Sequence, residues 1–132
     1  MEVQIFGHKK DPATRAAGRF FAERRVKVHF VDFADRWPAA GELKRFAQKF
    51  GVEALIDRDG KAFAERGLRS ARYGDERWLE ILLDDPYLLR LPLVRWQHKV
   101  TVGAAESEWK EWVGAARTAG TAQGVAPKGA LK

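Results

Sequence analysis

The side chains best placed for chemistry lie in one short run, Gly7-His8-Lys9-Lys10-Asp11-Pro12. It combines an imidazole, two ammonium groups and a carboxylate where an apolar strand (Val3, Ile5, Phe6) gives way to a helix. Asp is among the best N-cap residues and Pro is favoured at the first helical position, so Asp11-Pro12 marks the helix start. A strand that runs directly into a helix N-terminus presents backbone N–H groups and partial positive charge, a setting for an anion or a reactive group. Here a carboxylate holds that place. Its plainest role is to cap the helix, and catalysis by Asp11 would need a base, metal or phosphate partner that the neighbouring sequence does not supply.

Composition narrows the chemistry further. The chain of 132 residues contains no cysteine, which excludes disulfides, thiolate metal ligands and any thiol redox step carried by its own side chains. His8, His29 and His98 lack metal-ligand spacing, and the acidic pairs Asp57/Asp59 and Asp84/Asp85 have the composition of solvated turns. No cofactor is therefore expected. The net charge is +6, but Arg117, Lys128 and Lys132 contribute half of it from a C-terminal stretch without acids. A specific nucleic-acid site is accordingly not expected. No apolar run reaches the roughly 18 to 20 residues of a membrane span. Met1-Glu2-Val3 leads straight into the first strand without a signal-peptide pattern, so the expected compartment is the cytoplasm.

The elements that position this run follow from periodicity. Ala13, Ala17, Phe20 and Phe21 form the apolar stripe of an amphipathic helix, and Val26 to Phe33, with Val26, Val28 and Phe30 alternating, reads as a second strand. Together they make a βαβ unit with parallel strands. A helix with Leu43, Phe46, Ala47 and Phe50 on one face follows and is closed by Gly51. The spacing then predicts one further turn at Val52 to Ile56, a short helix over Lys61 to Arg66, and a helix over Asp75 to Asp84 with Trp78, Leu79, Leu82 and Leu83 inward. Leu88 to Trp96 and His98 to Val102 read as an antiparallel hairpin, with Pro92 at a strand entrance or on special backbone geometry, including a cis bond. The closing helix is expected over Ala105 to Ala116 with Trp109, Trp112 and Val113 buried. Residues 1–116 are thus one domain, and 117–132 are expected to form a disordered basic tail. Trp37 and Trp96, at a loop and a hairpin edge, are candidates for an exposed aromatic contact.

This order of elements resembles the thioredoxin fold, and in detail the arsenate reductase (ArsC) and Spx branch with its helical insertion. The resemblance rests on IFGHKKDPATRAAGRFF, WPAAGELKRFAQKFG, DRDGKAFAERGL and LLRLPLVRWQHKVTVG, taken in that order over about residues 3 to 113. It implies an α/β fold with a four-stranded mixed sheet, flanking helices and the helical insertion. The family's nucleophilic cysteine falls on Asp11, and the second cysteine of redox-sensing members falls on Thr14. Arg58 roughly matches the arginine of the family's middle turn, and Arg90 matches the first arginine of its Leu-Leu-Arg-Arg-Pro strand. Leu91 replaces the second, and Arg15 matches a basic residue of the first helix.

Arsenate reduction needs a thiolate that attacks arsenic and then gives up electrons through a disulfide, which a carboxylate cannot do. Asp11 would also repel an oxyanion by about 4 kcal/mol at about 4 Å and an effective dielectric of about 20. Arsenate reductase activity is therefore expected to be absent. The resemblance to Spx implies a redox-inactive binding or regulatory module on a protein partner, with the RNA polymerase alpha subunit as the partner it nominates. The alternatives are a non-redox enzyme or binder of a small anion or glutathione-type ligand at the Asp11 helix start, and a domain serving only stability within a larger assembly. The candidate ligand-binding set is His8, Lys9, Lys10, Asp11, Arg15, Arg58, Arg90 and Pro92.

Overall fold

A computed structural model of the chain describes residues 1–123. The strands are β1 (Glu2–Gly7), β2 (Lys27–Asp32), β3 (Leu93–Trp96) and β4 (Lys99–Val102), and the helices are α1 (Pro12–Glu23), α2 (Ala40–Phe50), α3 (Lys61–Glu65), α4 (Asp75–Asp84) and α5 (Glu106–Gln123). They form one four-stranded sheet in the order β2-β1-β3-β4. β1 and β2 are parallel, with Val3 opposite Val28 and Ile5 opposite Phe30, whereas β3 runs antiparallel to both β1 and β4. The mixed sheet, the βαβ unit and the hairpin all match expectation.

Alternation along the strands divides the core between the two faces of the sheet. On one face Val3, Ile5 and Val94 pack against Ala17, Phe20 and Phe21 of α1 and Trp109, Trp112 and Val113 of α5. The Trp109 indole N–H, fully removed from water, donates to Thr101 Oγ1 at 2.8 Å, so this ring is buried without leaving a donor unpaired. On the other face Phe6, Val31, Phe33 and Leu93 meet Leu43, Phe46, Leu55, Phe63, Trp78 and Leu82 of the helical insertion. Trp78, Trp109 and Trp112 are core residues, as their spacing predicts. Trp37 is exposed, and Trp96 is half-buried against Trp112 at a ring separation of 6.0 Å.

Several boundaries differ from the sequence reading. Leu88 to Arg90 is not strand: Pro86–Leu88 forms a 3-10 turn and Leu89 makes only an isolated bridge with Ile56, so β3 starts at Leu93. The buried leucines there satisfy an apolar pattern without laddering, which periodicity alone does not separate from a strand. Pro92 precedes β3, and the Leu91-Pro92 bond is cis. Phe50 and Phe30 are partly exposed at 36% and 40%, so the ends of two predicted apolar stripes are uncovered. The last helix does not stop at Ala116; α5 continues to Gln123, seven residues into the stretch read as a disordered tail. Ala, Thr and Gln in that stretch prolong a helix once Trp109 and Trp112 anchor its first turns. The remainder of the expected tail lies outside the described residues.

Candidate functional site

The β1–α1 junction is built around Asp11. Its backbone N–H donates to His8 O at 2.9 Å, which closes the turn, and its own carbonyl accepts the first helical bond from Arg15 N at 3.0 Å. The Asp11 backbone is extended (φ −75°, ψ 123°), as an N-cap requires. Its Oδ2 accepts from both Thr14 N (2.8 Å) and Thr14 Oγ1 (2.7 Å). Thr14 is buried, and a Cβ placed on Gly7 would collide with its hydroxyl and methyl groups. Gly7, Asp11 and Thr14 thus form one interlocked turn: glycine lets the strand approach, threonine fills the gap, and the carboxylate ties both to the helix.

His8 points elsewhere. Its ring stacks on Tyr87 at 4.3 Å and 11° and meets Phe33 edge-on. Nδ1 lies 3.7 Å from Asp32 Oδ1, within ion-pair reach but beyond a hydrogen bond. Asp32 Oδ1 accepts instead from Ala34 N at 2.9 Å, and Asp32 Oδ2 and both ring nitrogens are buried without a hydrogen-bond partner. A carboxylate beside an imidazole is the arrangement that orients a general base. Here, however, both nitrogens are shut away from solvent beneath the Tyr87 ring.

The remaining predicted residues do not converge on one pocket. Lys9 and Arg15 line a common groove between α1 and β2, and Lys10 is exposed in the turn. Arg58 is committed to the insertion. Its guanidinium donates two bonds to Glu53, from Nε at 2.9 Å and from Nη2 at 2.8 Å, and lies over the rings of Phe63 and Trp78. That hydrogen bonding holds the Glu53 carboxyl below its usual range against the opposing effect of burial, and pushes Arg58 upward. Arg90 donates its backbone N–H to Leu55 O at 2.8 Å, and its side-chain stem lies against Gly103, where φ is +74°. Pro92 is buried and its carbonyl accepts from Gly103 N at 2.9 Å.

Sequence reasoning missed Asp32 and Tyr87 as neighbours of His8. The only local signal was Asp32 at the end of an apolar strand, where its side chain turns the backbone at Ala34. Among the described residues, no group of three or more His, Asp or Glu side chains is arranged to hold a metal ion. No described helix is long and apolar enough to cross a membrane.

A parallel β1–α1–β2 unit followed by a hairpin entered through a cis proline, with a helical insertion between them, defines a thioredoxin-like protein of the ArsC type. The solved structure of the YFFB (PA3664) protein has the same fold: it superposes with a TM-score of 0.77 at 18% identity, covering 83% of this chain and 96% of that one. The ArsC family model matches residues 8–112, and the chain belongs to the ArsC family. It is 26% identical over 115 residues to the uncharacterized protein YusI of Bacillus subtilis, covering 84% of this chain and 98% of YusI. It is also 28% identical over 105 residues to an arsenate reductase of Neisseria meningitidis, covering 77% and 90% of the two chains.

Proposed function

We propose that this ArsC-family protein is redox-silent and works as a binding or regulatory module. The observation that carries the reading is the use made of Asp11. At the position where the family resemblance places a nucleophilic sulfur, the carboxylate spends Oδ2 on two bonds from Thr14 and holds the turn together. A capping carboxylate supplies neither the attack nor the electron pair of thiol exchange, and no other residue of this cysteine-free chain replaces them. The work left to the fold is recognition. The partner is a protein, with the RNA polymerase alpha subunit nominated by the resemblance to Spx, and the cytoplasm is the compartment that such a role requires.

A second reading, a small anion or glutathione-type ligand, draws on Lys9 and Arg15, which flank the same groove next to the helix start. The negative charge of Asp11 weighs against it. The test combines two assays on the purified chain. Sedimentation with purified RNA polymerase alpha subunit is expected to give a complex, and incubation with arsenate, glutathione and glutaredoxin is expected to give no arsenate-dependent oxidation of the thiol pool. Arsenate-dependent turnover would overturn the reading.

A further inference from the structure

We infer that the groove between α1 and the open edge of β2 is a docking site for an extended, acidic peptide segment of a partner protein. The segment would add to β2 as a further strand and seat apolar side chains against Phe30 and Gly18. This inference rests on the binding-module reading and gives it a surface.

Three features of the groove support it. First, β2 is an edge strand. Lys27 N donates to Met1 O and Phe33 N to Gly7 O, so the odd-numbered residues turn their backbone groups toward β1. The alternation of a parallel strand then leaves the N–H and C=O groups of Val28 and Phe30 on the open edge, where an incoming strand would pair.

Second, the groove holds about 360 Å³ and its surface is mostly apolar, floored by Ile5, Val28 and Phe30. Phe30 is 40% exposed. Gly18 forms part of the wall in the middle of α1, where glycine lowers helix stability relative to alanine. No described residue requires it, because a Cβ there would meet no atom of the described residues within 4 Å beyond its own helix backbone and chain neighbours. A glycine that costs helix stability and relieves no internal contact keeps the groove clear for something that comes from outside.

Third, the rim is cationic. Lys9, Arg15 and Arg19 line it, and none is paired with a carboxylate among the described residues. Charge complementarity therefore selects an acidic occupant. A second copy of this chain, at net charge +6, would be repelled, and the chain's own last residues, 124–132, carry Lys128 and Lys132 and no acid.

The test is selection of a randomised display library of linear peptides against the full chain, followed by titration of the synthesised winners. The expected winners alternate acidic with aliphatic or aromatic residues and slow amide hydrogen exchange at Val28 and Phe30. Gly18→Leu, which fills the groove, is expected to keep the unfolding midpoint at or above wild type while weakening these peptides by about tenfold or more. Gly18→Ala is expected to keep binding, and the Arg15→Glu/Arg19→Glu double variant to lose about tenfold or more.

The inference is overturned if no peptide is enriched, if the winners lack acidic residues, or if Gly18→Leu binds them as well as wild type. It is equally overturned if a labelled single-stranded DNA oligonucleotide, rather than any peptide, shows the Gly18 and Arg15/Arg19 dependence. Winners that bind elsewhere, indifferent to Gly18→Leu, sink the groove and leave the binding-module reading in place. Arsenate-dependent turnover sinks that reading and leaves the peptide measurements as they are.

Discussion

Asp11, which caps α1 just after β1, and Asp32, which ends the parallel strand β2, are used in opposite ways. Asp11, half-buried, accepts two short bonds from Thr14 through a single oxygen. Asp32, almost fully buried, accepts one backbone bond through Oδ1 and none through Oδ2, with the His8 ring close but not bonded. The first carboxylate, at the start of α1, holds the β1–α1 turn together through Oδ2. The second belongs to a buried polar pair that carries unsatisfied atoms. The start of α1 is thus capped by its own carboxylate, while the neighbouring imidazole is covered by Tyr87.

The comparison can be broken most severely at Gly7. Gly7→Ala forces a Cβ into Thr14 and is expected to cost about 3 kcal/mol in chemical denaturation, with much of the loss restored when Thr14→Ala is added. A Gly7→Ala variant as stable as wild type would mean that strand and helix are not interlocked as described. The Asp32 side of the contrast is sharpened by Asp32→Asn, which keeps the Oδ1 acceptor for Ala34 N and removes the buried charge. Stability is expected to hold or to rise by up to about 1 kcal/mol. A loss of that size would show that the buried Oδ2 site does not accept an amide in place of a carboxylate oxygen.

The smallest effect concerns a carboxylate away from both. Glu53 is held below the ordinary glutamate value of about 4.3 by its hydrogen bonds from Arg58. A depressed folded-state value means that the contribution is complete above that pH and fades as pH falls through the lower, folded-state value. Both side chains are more than a third exposed, at 63% and 39%, so screening holds the contribution to about 0.5 kcal/mol. Thermal melts of wild type and Glu53→Gln are expected to differ slightly at neutral pH and to converge as pH falls through the lowered folded-state value. A difference that persisted in acid would assign the loss to packing rather than to charge.

What the sequence made legible is local and strongly punctuated. Asp11-Pro12 located the start of α1, Gly51 ended α2, and the apolar runs Leu88 to Trp96 and His98 to Val102, parted only around Gln97, gave the hairpin. The helical continuation of α5 past Ala116 was hidden because Ala, Gly and Thr carry no periodic apolar stripe. The proximity of His8, Asp32 and Tyr87 was hidden for a different reason: they come from three separate segments, and only the folded chain brings them together. The pairing of Arg58 with Glu53, five residues away on the same insertion, was equally hidden, because Asp57 and Asp59 stand closer in sequence. The groove beside Phe30 was invisible because alternation along β2 tells which face a side chain takes but not whether a helix covers it.

The measurement that bears most directly on the central claim is chemical denaturation of Asp11→Asn and Asp11→Ala side by side. Asn caps a helix about as well as Asp, whereas Ala does not. The account predicts that Asp11→Asn stays within a few tenths of a kcal/mol of wild type and that Asp11→Ala loses about 1 kcal/mol. If both variants kept full stability, or if Asn proved as damaging as Ala, Asp11 would not be the structural cap that holds this turn.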